Sequence, residues 1–385
     1  MSTSSRRRLG RAAAGAVPLA LAASLMAHTF ASSDHADASS RPAAPSFLTT
    51  APSVAGRSLV RPQTSGEHRL VGLRPTLLPG QASGQRLSFP LFRGTTVTGT
   101  VDRVSTGPGY TAWTGRLTTP LGDFSIVRAG DVYRVDVSSL QGDFQVTPAG
   151  GTAYWLSRAA TPAMQTHSDV APLPAGSSSR SARGGHLVRR RLHDSGRVLD
   201  VMFAYNDRLV RQAGSVSAIR AYAGAVVSQT DQALAQSGDK RIRVRMVGLA
   251  HTGTKRAKNF DRNLVWLRKP HDGHYDGLVR KRNRRHADVV HLLLPGSDPN
   301  WCGFGYEPPD PRDARSLLGY SVSLYANCAT NHAATHEIGH NMGADHDRYP
   351  GVSHTSQLKY AAGKVNTSQG WLSIMAYPNH VLAVN

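Results

Sequence analysis

Residues His336–Asp347 read His-Glu-Ile-Gly-His-Asn-Met-Gly-Ala-Asp-His-Asp. On a helix, His336 and His340 lie four residues apart, so both imidazoles leave one face and can bind the same metal ion. Gly343 can adopt a positive φ that other residues resist, so it can end the helix and turn the chain towards His346. The spacing therefore predicts a metal site with three imidazole ligands.

The chemistry expected at this site is hydrolytic. Three neutral imidazoles with an open position are the pattern of catalytic zinc, whereas structural zinc is usually closed by four protein ligands, often thiolates. Glu337 follows the first histidine and can reach a water on the metal without binding the metal itself. A histidine pair alone would as easily be a solvated helix face, but the added glycine and third histidine argue against that. We expect one Zn²⁺ ion, with Glu337 as general base.

This stretch resembles the signature of the metzincin clan of zinc endopeptidases. Asp347, directly after the third histidine, resembles the adamalysin or reprolysin branch. Further on, Ser373–Tyr377 resembles the Met-turn of the clan, in which the thioether of Met375 would lie beneath the metal-binding imidazoles. The resemblance covers residues 197–377 and is closest to the secreted bacterial type. It implies an α/β catalytic domain with a mixed twisted sheet and a long active-site helix, in which Gly343, Asp347 and Met375 are structural.

Tyr377 lies two residues after Met375. In astacins and serralysins, a tyrosine at this offset can donate a hydrogen bond to the developing oxyanion. Asp347 resembles a different branch, so a structural role for Tyr377 is favoured. A transition-state donor stays as the alternative.

The first 38 residues are expected to be a secretory signal peptide. Arg6–Arg8 form a positive start, and Ala12–Ala27 form a short apolar core that small residues follow. This core is too short for a comfortable membrane span. We therefore expect a secreted, extracellular protein without a stable membrane anchor, and an uncleaved anchor is the alternative.

The chain is strongly basic, with 45 Lys and Arg against 25 Asp and Glu and a net charge of +20. Such a charge can favour nucleic-acid binding, but no nucleic-acid module is visible. Two arginine-rich stretches, Arg6–Arg8 and Arg189–Arg191, are explained by targeting and processing. We therefore expect protein or peptide substrates, no nucleic-acid partner and a monomer.

Cys302 and Cys328 are the only two cysteines. In an exported protein an isolated pair more often forms a disulfide than two thiols, and closing such a loop contributes roughly 3 kcal/mol in the chain-entropy model. We therefore predict a Cys302–Cys328 bridge. The upstream half has no cysteine, so a thiolate from it cannot hold zinc in a latent form. Latency, if it exists, requires steric cover or another ligand.

The upstream half divides into three parts. Residues 39–85 are rich in Ser, Pro, Ala and Arg and lack periodicity, which predicts a disordered leader. Residues 86–158 contain short alternating runs between turn dipeptides, which predict a small antiparallel β-domain; it resembles the β-rich pro-region of bacterial reprolysin-like enzymes. Residues 159–196 are expected to be a linker with a maturation site between about residues 183 and 195. An ordinary solvated linker is the alternative.

Residues 197–385 are expected to form the catalytic domain. Alternating strand and helix patterns predict α/β architecture. The segments are a strand at Val198–Tyr205, a helix at Ser215–Gln236, and strands at Ile242–Val247 and Ala287–Leu294. Guided by the resemblance, we expect Ser321–Leu324 to be the edge strand that receives an extended peptide.

The chain ends at Asn385, eight residues after Tyr377. In the resembling enzymes more chain follows the Met-turn and helps to wall the substrate pocket. A secreted binding protein that keeps the scaffold but has lost activity is therefore the rival interpretation. The complete set of ligands with Glu337 favours the enzyme. Substrate, cleavage preference and any Ca²⁺ site stay open.

Overall fold

The computed structural model describes most of the chain between residues 42 and 377. The described residues are 42–56, 58–62, 64, 66–78, 80, 82–119, 121–159, 169–171, 197–254, 257, 259–296, 301–308, 318–326, 328, 331–348, 360–369 and 371–377. The predicted signal peptide and the predicted maturation site at residues 183–195 lie outside these ranges. Among the described residues, no helix combines the length and apolar content needed to cross a bilayer.

The upstream half forms one antiparallel sheet of nine strands. Alternating apolar residues and turn glycines, such as Gly130 with φ 60°, produce its regular hairpins. The strands are β1 (Leu48–Thr50), β2 (His68–Leu73), β3 (Arg86–Pro90), β4 (Thr96–Gly107), β5 (Tyr110–Thr119), β6 (Gly122–Ala129), β7 (Val132–Ser139), β8 (Gly142–Gly150) and β9 (Ala153–Arg158). Their order is β1-β2-β9-β8-β7-β6-β5-β4-β3.

The prediction of a disordered leader over residues 39–85 is wrong for its described part. β1 and β2 lie in the sheet, and Phe47 and Val71 are fully buried. β2 pairs with β9, where His68 is opposite Ser157. Strand formation depends on the neighbours that cover a segment. The strand that pairs with β2, β9, is distant in sequence. The composition of residues 39–85 therefore did not predict β2.

The downstream half contains a six-stranded mixed sheet with helices, which confirms the α/β expectation. The strands are β10 (Val170–Ala171), β11 (Val198–Tyr205), β12 (Arg243–His251), β13 (Val289–Leu294), β14 (Gly303–Tyr306) and β15 (Tyr320–Leu324), in the order β10-β14-β15-β13-β11-β12. The helices are α1 (Asp207–Ala213), α2 (Val216–Gln236), α3 (Phe260–Arg268), α4 (Asp276–Arg285) and α5 (Ala333–Asn341). A two-stranded ribbon, β16 (Val365–Asn366) and β17 (Trp371–Leu372), follows.

The assignment of Ser321–Leu324 as the edge strand is wrong. This segment is β15, which lies between β13 and β14 and is buried along its whole length. β14, which runs antiparallel to β15, lies between β15 and the two-residue strand β10, so the outer strands of this sheet are β10 and β12. β14 has the sequence Gly-Phe-Gly-Tyr, and its glycines argue against a strand when it is read locally.

The two sheets pack on opposite sides of α2. Ser215 caps this helix by accepting a hydrogen bond from the Ala218 amide at 3.1 Å. A single apolar cluster contains Tyr110 and Val127 from the first sheet with Ile219 of α2 and Phe203 of the second. Polar contacts join the same surfaces: the Gln232 amide donates to the Gly115 carbonyl at 3.2 Å. The helix is therefore shared between the two halves.

Candidate metal centre

The helix α5 and the turn that follows it bring the three predicted ligands together. His336 Nε2 lies 3.0 Å from His340 Nε2 and 3.2 Å from His346 Nε2. Helix α5 is nine residues long, shorter than the long helix that was expected. Gly343 has φ 87° and ends the helical turn, while the Ala344 amide donates to the Gly339 carbonyl at 3.0 Å. This positive φ turns the chain so that His346 returns to the first two histidines.

The other ring nitrogen of each histidine has an oxygen partner. His336 Nδ1 is 2.7 Å from the Ile374 carbonyl oxygen, and His340 Nδ1 is 2.9 Å from that of Ala344. A carbonyl can only accept, so these two Nδ1 atoms carry the protons. His346 Nδ1 lies 3.3 Å from the Tyr377 hydroxyl. These contacts orient the rings and direct the Nε2 atoms of His336 and His340 towards one another, where a metal would bind them.

A fourth buried group, the Asp169 carboxylate, faces the same three nitrogens. Its Oδ1 lies 2.7 Å from His346 Nε2 and 3.4 Å from His340 Nε2, and its Oδ2 lies 3.5 Å from His336 Nε2. Burial acts to raise the pKa of this carboxyl, but the adjacent histidines, His336 foremost, hold it well below its ordinary value. The aspartate is therefore a charged partner of the cluster.

Sequence reasoning missed Asp169 because it lies in a stretch rich in Pro, Ser and Ala that reads as a linker. One signal was present. Asp169 is the only acidic residue between Asp143 and Asp194. The histidines that Asp169 contacts lie far along the chain, so the isolation of this acidic residue did not identify it as part of the metal centre.

These four side chains suit a zinc ion. Three imidazole nitrogens and one carboxylate oxygen, all within 4.8 Å of one another and all buried, form the group. Zinc in proteins is commonly bound by four nitrogen, oxygen or sulfur atoms in a tetrahedron. His336, His340 and His346 would hold the ion, and the carboxylate of Asp169 lies where a fourth ligand would bind.

Glu337 lies beside this group, against strand β14. Its side chain is 1% exposed, and Oε2 has no hydrogen-bond partner among the described residues. Burial raises the pKa of the Glu337 carboxyl well above its ordinary value, and the charge of Asp169 adds to the rise. A β-carbon at Gly303 would collide with the Glu337 carboxyl, and one at Gly305 would come within 3.0 Å of it. The two glycines of β14 are therefore required for the carboxyl to lie where it does.

Asp347 and Met375 contact the segments that carry the three histidines. Asp347 Oδ1 accepts a hydrogen bond from the Tyr377 amide at 3.0 Å, which joins the segment after the third histidine to the turn that contains Met375. The Met375 thioether packs on Gly339, between the two histidines of α5. Both residues therefore touch the elements that carry the ligands.

Tyr377 brings its hydroxyl into the metal centre. The hydroxyl donates to Asp169 Oδ1 at 3.0 Å, and the ring centroid lies 4.3 Å from that of His346. Burial raises the pKa of this phenol, so it stays protonated and able to donate. The residue is thus both packed against a ligand and positioned to donate a hydrogen bond within the centre.

Cys302 and Cys328 lie close together next to the centre. The structure contains them as thiols, and Cys328 Sγ is 3.8 Å from the Cys302 carbonyl oxygen. The disulfide therefore stays a prediction.

Residues 195–382 match the family model described as Metallo-peptidase family M12 (Reprolysin_5). Two relatives from Stenotrophomonas maltophilia, both named Peptidyl-Asp metalloendopeptidase, are 31% and 30% identical over 176 residues, which cover 42% of this chain and 39% of each relative. A relative of the same name from Xanthomonas campestris is 29% identical over 172 residues, covering 42% of this chain and 38% of the relative. The chain therefore spans about two fifths of the length of the curated relatives it matches.

Similarity to solved structures is low. Metalloproteinase-II from Bacteroides fragilis is 10% identical with a TM-score of 0.41, covering 75% of this chain and 90% of that chain. The family model matches the region in which the three histidines converge, and the three relatives bear a metalloendopeptidase name. Residues 195–382 are therefore a reprolysin-like metallopeptidase domain of family M12.

Proposed function

We propose that this chain is a secreted zinc-dependent endopeptidase made as a precursor. The observation that carries the proposal is the convergence of the Nε2 atoms of His336, His340 and His346 beside the buried Glu337. The family match over residues 195–382 supports the same reaction class. Secretion rests on the signal-like N-terminal sequence.

A zinc ion bound by the three histidines would supply the Lewis acidity that peptide hydrolysis needs. Glu337 is the general base: its carboxylate accepts a proton from the attacking water and passes it to the leaving amine. The glycines of β14 leave room for this carboxyl beside an extended substrate.

Strand β14, which becomes an edge strand once β10 has left, is the surface that receives the substrate backbone. It pairs on one side with β15 and on the other only with the short β10. An extended peptide added to this edge would gain main-chain hydrogen bonds and run past the metal centre. Tyr377 keeps two roles, because its hydroxyl can orient His346 and can donate to a substrate oxygen.

Acidic peptides are the substrates that we propose to test first. The net charge of +20 favours association with acidic partners. The matched relatives bear the name Peptidyl-Asp metalloendopeptidase. A peptide series that differs only by Asp, Asn, Glu or Ala at one position would measure this preference through kcat/KM.

The test of the proposal uses the full chain, as isolated and after limited trypsin treatment. Bound zinc is quantified, and cleavage of casein and gelatin is measured with and without a chelator. We expect about one zinc per chain and chelator-sensitive cleavage. Zinc binding without cleavage of any protein, by either form, would favour the rival binding protein.

A further inference from the structure

We propose that Asp169 is an internal inhibitor of this peptidase: in the intact chain its carboxylate is the fourth ligand of the histidine-bound metal, and it excludes substrate until it is removed. The inference rests on the proposed function, because it concerns the same centre. It assigns a regulatory role to a residue outside the matched metallopeptidase region, which begins at residue 195.

The first argument is the geometry of the carboxylate. Its two oxygens approach all three ligand nitrogens, from 2.7 Å at His346 to 3.5 Å at His336. The residue is 4% exposed. A closed set of four protein ligands is typical of structural zinc, whereas hydrolysis needs one open position. An enzyme with this centre can act only when one ligand leaves, and Asp169 is the one that the histidine motif does not include.

The second argument is the backbone next to Asp169. The Gly305 amide donates to the Asp169 carbonyl at 3.1 Å, and β10 then pairs with β14, with Val170 opposite Gly305 and Ala171 opposite Tyr306. The segment therefore occupies the sheet edge as well as the ligand position. A substrate cannot bind this edge while β10 remains there.

The third argument is the hydroxyl that holds the carboxylate. Tyr377 donates to Asp169 Oδ1 at 3.0 Å, so both oxygens of the aspartate have partners in the closed form. Removing Asp169 frees this donor within the centre. The same side chain would then be available to a substrate oxygen.

Release is a ligand exchange, in which the carboxylate leaves and a water molecule takes its place. It requires no oxidant or reductant, in contrast to a thiolate, which is open to oxidation. Arg180–Arg183 and Arg189–Arg191 lie between Asp169 and β11 in sequence. Cleavage at these basic residues would separate the inhibitory segment covalently from the catalytic sheet.

The decisive experiment replaces the carboxylate by a ligand with its own spectroscopic signal. Full-length Asp169→Cys is loaded with Co²⁺, and Asp131→Cys, in the exposed turn between β6 and β7, is the matched control. We expect a near-ultraviolet thiolate-to-cobalt charge-transfer band in Asp169→Cys that is absent from both the control and the parent chain. A spectrum equal to that of the control would overturn the proposal.

A second pair, Asp169→Asn and Asp131→Asn, keeps side-chain size constant and removes one charge each. In full-length Asp169→Asn we expect zinc loss to a chelator at least about tenfold faster, the scale seen when a zinc partner is removed. We also expect acetohydroxamate, a small metal-binding probe, to bind at least about tenfold tighter, because its position is no longer occupied. Unchanged zinc loss and probe binding, with the circular dichroism of the parent chain, would overturn the proposal.

The two proposals fail in different ways. If Asp169→Asn loses zinc and binds the probe as the parent chain does, while the trypsin-treated parent chain cleaves casein in a chelator-sensitive way, the inhibitory role of Asp169 is wrong and the peptidase stands. If the charge-transfer band forms but no trypsin-treated chain, parent or variant, cleaves any protein, Asp169 is a ligand and the endopeptidase function is wrong.

Discussion

Gly339 lies directly against the thioether of Met375: a β-carbon at this glycine would stand 2.5 Å from Met375 Sδ. Real β-carbons do not approach a neighbour so closely, so a larger residue must displace the methionine or the helix. The helix carries His336 and His340, and the backbone next to the methionine accepts the hydrogen bond from His336 Nδ1 at Ile374. Because Gly339 has no side chain, the helix that carries His336 and His340 can lie close to the turn that contains Met375.

Gly339→Ala is expected to weaken zinc binding at least about tenfold and to lower the free energy of unfolding by about 1–3 kcal/mol, as overpacking does. Gly277→Ala is the matched control, since this glycine also lies in a helix, α4, and has no atom within 4 Å of the added carbon. We expect the control to be neutral or stabilising by about 0.4–1 kcal/mol. Zinc titration and urea unfolding measure both. Equal zinc affinity in the two variants would contradict the packing argument.

Glu337→Gln should retain zinc and lose nearly all peptidase activity. The amide keeps the shape of the side chain but can neither accept the proton of the attacking water nor deliver one to the leaving amine. The measurement combines zinc content with casein cleavage by dilute, trypsin-treated protein in the Asp169→Asn background, in which the ligand position is open and the segment that covers β14 has been cut from the catalytic sheet. Substantial cleavage by zinc-loaded protein would remove Glu337 from the mechanism.

Tyr377→Phe in the same trypsin-treated Asp169→Asn background is expected to lower kcat/KM by roughly 100–1000-fold while zinc content stays constant. The reason is the loss of a hydroxyl donor inside the centre, on the scale found for other oxyanion donors. A change confined to stability, measured by thermal unfolding, would assign Tyr377 a purely structural role next to His346. The resemblance to adamalysins favoured that role, whereas the position of the hydroxyl supports the donor.

His291 should make the fold sensitive to acid. The ring is fully buried, with Nδ1 2.8 Å from Ser321 Oγ and Nε2 2.9 Å from Ser323 Oγ, and burial lowers its pKa to about 3. The unfolded chain protonates this histidine below about pH 6.5 while the folded chain does not. Stability from the neutral ring is therefore complete above that pH and is lost as pH falls towards 3.

Between pH 7 and pH 5 this one group contributes about 2 kcal/mol to the loss of stability. His291→Gln lacks the titration, so its unfolding free energy should fall less over that interval by the same amount. Urea unfolding of both chains at the two pH values is the measurement. Parallel pH dependence would show that the buried ring does not control acid stability.

The disulfide prediction is tested on the unfolded, non-reduced chain purified from the secreted fraction. If Cys302 and Cys328 are bridged, a thiol reagent should find no reactive thiols before reduction and two afterwards. The two residues are neighbours in the fold, since Cys328 Sγ lies 3.8 Å from the Cys302 carbonyl oxygen. Two reactive thiols before reduction would rule the bridge out.

Local chemistry made much of the metal centre predictable. The spacing of His336 and His340 is a property of one helix, and the turn to His346 follows from the backbone freedom of Gly343. The strand at Val198–Tyr205 and the helix after Ser215 were equally visible, because apolar periodicity and a capping residue mark them within a few residues.

The remaining features depend on contacts between distant segments. Asp169 contacts histidines that lie far along the chain, and β14 is a strand because it pairs with β15 and β10. β2 is stabilised by β9 rather than by its own composition. Sequence patterns report the propensity of a segment, and none of them reports which partner it will meet.

Because α2 is buried between the two sheets, activation of the proposed precursor would depend on dilution as well as on cleavage of the chain. Tyr110 and Ile219 belong to one apolar cluster, so severing the chain between β9 and β11 leaves the two pieces bound to each other. The cut changes a tethered contact into an association between two molecules, so the fraction that stays associated falls as the pieces are diluted. A cleaved precursor at high concentration would thus remain inhibited. It would become active on dilution, when the two pieces dissociate.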